Sequence, residues 1–175
     1  MSLVVEDGTG KADAEAYCDV LFSDAHHASR GTAEASWVDL DTEIKEQCLR
    51  RATDAMLQMY RGRWKGVMVK PDTQALDWPR YNAYPDPTFL YAISYTVVPP
   101  EVKKACAELA LRANAGGLTS DVAPTGAVLS EQVGSIAVTY ANAATSQTCY
   151  TSVDRMLGPL LLDGAGDLQG TARLG

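Results

Sequence analysis

The densest run of chemically capable side chains is Tyr60-Arg61-Gly62-Arg63-Trp64-Lys65, and it resumes at Trp78-Pro79-Arg80. Aromatic rings offer faces on which bases stack, while guanidinium and ammonium groups seek phosphates. Sites for single-stranded nucleic acid are built from that pair of chemistries. On this ground Arg61, Arg63, Trp64 and Lys65 are candidate strand contacts. Two other roles use the same residue types. Trp64 and Trp78 can anchor a long loop on the core while the arginines bridge to acidic neighbours, the commoner outcome for a small patch in an acidic chain. Trp, Tyr and Arg are also the residues that dominate subunit contacts.

Other chemistry is thin. Gly8-Thr9-Gly10-Lys11-Ala12 has the outline of a phosphate loop, but Val5 stands where the first glycine belongs and Ala12 where Ser or Thr would hold the metal. A plain turn is expected there. His26 and His27 are the only histidines. Adjacent helical positions point about 100° apart, so the pair is not expected to chelate an ion and is read as solvated or interfacial. No serine has a nucleophile-elbow context, and two histidines leave a triad little to draw on. The expectation is no enzyme, no metal and no cofactor.

The elements that would position these residues follow from periodicity. Between Asp41 and Lys65, apolar groups recur at Ile44, Cys48, Ala52, Ala55, Met56 and Met59, one stripe of a helix. Asp41 or Asp39 can cap its start and Gly62 marks its end. Residues 13–30 read as a helix with Tyr17, Leu21, Ala25 and Ala28 inward, although Asp19 could cap a shorter helix beginning at Val20. Trp37 is expected to pack under the long helix. A clean helix opens at Pro100-Glu101, buries Val102, Ala105, Cys106, Leu109, Ala110 and Ala113, and ends at Gly116-Gly117. Lys104–Glu108 and Glu108–Arg112 are spaced to pair along its outside. Leu3-Val4-Val5 reads as a short strand and Val128–Tyr140 as a β-hairpin turning at Gly134-Ser135. Ser152–Leu162 is helical, interrupted at Gly158-Pro159.

Residues 66–98 lack helical period and hold six of the eight prolines with Pro99 and Pro100 included. Phe89 to Val97 reads as an extended arm with large apolar groups on both faces, which a lone subunit would struggle to cover. The reading is a mainly α fold: a small bundle of about four helices with a β-hairpin, a long aromatic loop or arm at 66–98 and an extended C-terminal tail at 163–175, all in one domain.

Bulk properties bound the function. A net charge of −7 weighs against avid general binding of nucleic acid, whose affinity comes mainly from phosphate attraction. No signal peptide or membrane span is expected, since no apolar run approaches the required length. The scattered Cys18, Cys48, Cys106 and Cys149 are read as reduced core thiols of a protein made in a cytoplasm.

Several motifs in order carry a resemblance. They are Leu3-Val4-Val5-Glu6-Asp7-Gly8-Thr9-Gly10, the Tyr17 helix ending at Arg30-Gly31, Trp37, and Arg51-Ala52-Thr53-Asp54 with Tyr60-Arg61-Gly62. Gln74-Ala75-Leu76-Asp77-Trp78-Pro79-Arg80, Pro99-Pro100-Glu101-Val102-Lys103, Glu131–Gly134, Ile136–Tyr140 and Val153–Leu162 complete the series. The chain resembles a phage and prophage family labelled DnaT-like single-stranded-DNA-binding protein, and is similar to the helical head–tail adaptor (connector) proteins of tailed bacteriophages. The adaptor resemblance implies a virion protein made in the host bacterial cytoplasm. Such proteins form a homo-oligomeric, typically dodecameric ring beneath the portal protein, above a downstream tail or head-closure protein. The double-stranded genome passes through the lumen without specific binding. The subunit or portal contacts are then expected at Trp64, Trp78, Arg80, Phe89, Tyr91, Tyr95 and, in the tail, Leu168. The DnaT-like label implies instead a strand binder using Arg61, Arg63, Trp64 and Lys65.

Overall fold

The computed structural model describes residues 2–31, 35–85, 91–119, 130–133, 136–139 and 149–162. They form two units, residues 1–118 with 150–175, and residues 119–149. The first holds α1 (Val20–Ala28), α2 (Ala35–Val38), α3 (Thr42–Tyr60), α4 (Pro100–Ala115) and α5 (Thr151–Leu157), with a short pair β1 (Val67–Met68) and β2 (Arg80–Tyr81). The second holds the antiparallel hairpin β3 (Ser130–Val133) and β4 (Ile136–Thr139), in which Val133 faces Ile136 across the turn. This is the mainly helical fold with a small hairpin that the periodicity predicts. The tail at 163–175, with Leu168, and the hairpin turn at 134–135 lie outside the described residues.

The core is the α3–α4 pair. Thr42 to Tyr60 contains neither glycine nor proline and is rich in strong helix formers. It buries Lys45, Cys48, Leu49, Ala52, Thr53, Ala55, Met56 and Tyr60. Ile44, placed on the buried stripe by spacing, is 39% exposed. The face is rotated because Lys45 turns inward to the Asp24 carboxylate at 3.1 Å. The α4 face is Val102, Ala105, Cys106, Ala107, Leu109, Ala110 and Ala113. Its small side chains let α3 approach closely enough for Thr53 Oγ1 to lie 3.4 Å from Cys106 Sγ. On the outside of α4, Glu108 turns to Arg112 and His26.

Several expectations are corrected. The Leu3–Val5 strand shrinks to a single parallel bridge, Val5 to Ala16. Of the two readings of the first helix, the shorter holds: it starts at Val20 and not near residue 13, with the Asp19 side chain accepting from the Phe22 amide. Tyr17 is buried but precedes the helix, and Leu21 is 77% exposed. The inward face of α1 is instead Ser23, His26 and His27. The histidines are therefore buried, because α4 offers each a hydrogen-bond partner. Trp37 packs edge-on to His27 and beneath the Lys45 ammonium, and its indole N–H donates to Asp24 at 2.8 Å. Cys18, Cys48 and Cys106 are buried free thiols, but Cys149 is exposed. The expected extended arm is not a strand over residues 91–98: it runs irregularly and turns at 95–97.

After α5, Gly158–Leu160 tighten into a 3-10 turn at Pro159, as the sequence suggests. This returning segment closes on the end of α3. Tyr60 Oη donates to Asp154 at 2.7 Å, and the amides of Lys65 and Leu162 donate to the carbonyls of Leu160 and Arg63.

Candidate nucleic-acid and subunit interface

The basic and aromatic segment leaves α3 at Gly62, whose φ of 87° suits glycine, and immediately folds inward. Trp64 is 2% and Trp78 0% exposed. Their rings meet edge to face at 5.8 Å, and Tyr60 lies against Trp64 at the same centroid distance. Asp77, also buried, collects the polar ends: Trp64 Nε1 donates to one oxygen and Arg61 Nε to the other, both at 3.1 Å. Its own amide donates to Tyr17 Oη at 3.1 Å. Arg80 donates to the carbonyl oxygens of Lys65, Gly66 and Asp77. Burial lowers its guanidinium pKa from the ordinary value, with the Asp77 charge opposing. Arg63 stacks over Tyr60 at 5.7 Å, and Lys65 Nζ donates to the carbonyl of Pro159 at 2.9 Å.

Every residue proposed as a strand contact thus has an intramolecular partner, and the two tryptophans brace the loop from inside. Gln74 does the same for the next turn, accepting from the Lys70 amide and donating to the carbonyls of Leu76 and Pro79.

What the segment leaves outside is tyrosine. Tyr91 is 81%, Tyr95 50%, Tyr81 39% and Tyr84 38% exposed, beside Val67 and Val97. Tyr81 and Tyr95 touch at 4.7 Å between ring centroids. The backbone holds this ledge in place: the Ile93 amide donates to the Ala83 carbonyl, and Thr96-Val97 lie directly on Gly8. Phe89, expected in the same surface, lies outside the described residues.

Two features were not legible as sites. The outline of a phosphate loop is a real cradle, but Glu6 fills it: its carboxylate accepts from the amides of Gly8, Gly10 and Lys11 at 2.8–2.9 Å. Beside it, the Thr9 hydroxyl and Lys11 hold the Asp7 carboxyl down at about 2. The ligand atoms of His26, His27 and Glu108 lie within 4.8 Å of one another. His26 Nε2 faces Glu108 at 3.1 Å, and His27 Nε2 donates to the Ala107 carbonyl. Arg112 already sits 2.9 Å from the other Glu108 oxygen, so a cation there would meet a guanidinium. The cluster reads as packing.

A family model described as "Putative DnaT-like ssDNA binding protein" matches residues 1–174. The chain belongs to that family. No curated protein and no solved structure matches it.

Proposed function

We propose that this chain is a structural ring-forming protein, a head–tail adaptor that assembles with copies of itself beneath a phage portal and continues the DNA channel toward the tail. The observation that carries the reading is the tyrosine ledge. Large rings stand uncovered on a braced loop, and burying such rings is favourable at roughly 25 cal/mol per Å². A second copy is the simplest cover. The charge of −7 suits a conduit, since a wall that attracted phosphates would retard the passing genome. Tyr91 and Tyr95 are then subunit contacts, while Trp64, Trp78 and Arg80 set the shape of the loop that presents them. The dodecameric copy number and the portal and tail-side partners follow the adaptor resemblance.

The second reading, single-strand binding, is favoured by the family description and by the same exposed rings, on which bases could stack. Its weakness is charge: Arg61, Arg63 and Lys65 are engaged within the chain. One pair of measurements separates the two. Light scattering on the purified chain should show concentration-dependent self-association, and anisotropy with a fluorescent oligothymidine should show little binding at physiological salt. Tight, salt-sensitive binding by a monomer would reverse the choice.

A further inference from the structure

The chain leaves its helical unit at Leu118, returns at Tyr150, and builds the β3–β4 hairpin in between. The excursion is closed at its base: Tyr150 Oη donates to the Leu118 carbonyl at 2.9 Å, and both residues pack on the core. Among the described residues, β3 and β4 pair with each other and with no other strand. In an antiparallel ladder, alternate residues turn both amide and carbonyl away from the partner strand. Each strand therefore keeps one edge of main-chain donors and acceptors with no described strand against it. A lone hairpin is marginal in water, and natural edges are blunted by lysine, proline or a cover. β4 has no such device: Ile136-Ala137-Val138-Thr139 carries neither charge nor proline and is β-branched at three positions. Its surroundings in sequence are as bare. Residues 119–149 hold two charged side chains, Asp121 and Glu131, and no Lys, Arg or His, whereas 21% of the whole chain is charged.

We infer that the hairpin is an assembly element: β4 of one copy pairs antiparallel with β3 of the next, so that successive copies share one intersubunit sheet. A strand edge is matched by another extended backbone. The lack of cations over residues 119–149 leaves nothing there for the phosphate attraction that holds nucleic acid. Contact between identical copies sets like charge against like, which is unfavourable across a ladder. A hairpin whose strands carry a single charge, Glu131, tolerates that contact. Direction fits as well. Because β3 and β4 run in opposite senses in every copy, a head-to-tail repeat continues the alternation with no parallel junction, and closure into a ring leaves no free edge. The inference rests on the ring reading above and adds a second contact to the tyrosine ledge.

The test uses the full chain. Sedimentation velocity compares wild type with Ala137→Lys/Thr139→Lys, which plants on β4 the lysines that blunt natural edges. The variant should lose self-association by at least about tenfold, with its helical melt unchanged because the excursion is closed at Tyr150. Hydrogen exchange read by mass spectrometry locates the contact without any variant. The 130–139 amides should exchange at least about tenfold more slowly in assembled wild type than in the dilute monomer. If wild type assembles while these amides keep one rate in both states, this contact is wrong and the ring reading stands on the ledge alone. The same follows if the folded lysine variant assembles as tightly as wild type. A wild type that stays monomeric at every concentration overturns both.

Discussion

The Glu6 carboxylate accepts the Gly10 amide at 2.9 Å and, through the same oxygen, the Gly8 amide at 2.8 Å; the other oxygen takes Lys11. A concavity of backbone donors that elsewhere suits a phosphate is closed here by the chain's own acid. Glu6→Ala should cost about 3 kcal/mol in urea denaturation, the penalty for buried donors stripped of a charged acceptor. Glu6→Gln, which keeps one acceptor oxygen, should cost less. Gly8→Ala should be at least as damaging as Glu6→Ala, because a Cβ would stand 2.1 Å from the Thr96 carbonyl oxygen at a φ of +104°.

Trp64 and Tyr91 test the difference between bracing and contact. Trp64→Ala opens the cluster with Tyr60, Trp78 and Asp77 and should destabilise by about 3–5 kcal/mol. Tyr91→Ala removes a ring that is 81% exposed and should change stability by less than about 0.5 kcal/mol. Thermal melts of the two variants check the contrast.

The α3–α4 interface should resist enlargement. Ala110 is fully buried, so Ala110→Leu forces the helices apart and should cost about 1–3 kcal/mol, read as a lower urea midpoint with the slope preserved.

Acid should weaken the fold through the α1–α4 contact. Burial pushes His26 below its ordinary value of 6.5, with Glu108 opposing. Burial would raise Glu108, but His26 and Arg112 outweigh it and hold the carboxyl below 4.5. For His26 the unfolded chain binds the proton more readily, so stability is full above 6.5 and falls as pH drops through that value toward the lower folded one. Glu108 adds a second loss below 4.5. Melting temperatures between pH 7.5 and 5 should decline in wild type and decline less in His26→Gln.

The helices were legible because α3 and α4 state their period without interruption. Pro100 and Gly116 punctuate α4, and Gly62 ends α3. The bracing role of Trp64 and Trp78 was visible as one reading among three. What chose it was Asp77, thirteen residues from Trp64 and placed by the fold alone. The histidines were misjudged for the same reason. Their 100° divergence argues against shared ligation, but not against burial when two neighbouring residues of α4, Ala107 and Glu108, accept one each. The Glu6 cradle hid because its acceptor precedes the glycines, where a nucleotide motif offers nothing to notice. The arm was read in residue type and not in shape: Phe89 to Val97 was expected to run extended, and over residues 91–98 the chain is irregular, turning at 95–97 where Thr96 and Val97 lie on Gly8.

The most direct test of the ring account is electron microscopy of purified virion necks, with this protein marked by antibody or located in the map. The account predicts a rotationally symmetric collar of identical subunits directly beneath the portal, each subunit's tyrosine ledge covered by its neighbour. Absence of the chain from mature particles, together with tight strand binding by single copies, would contradict it.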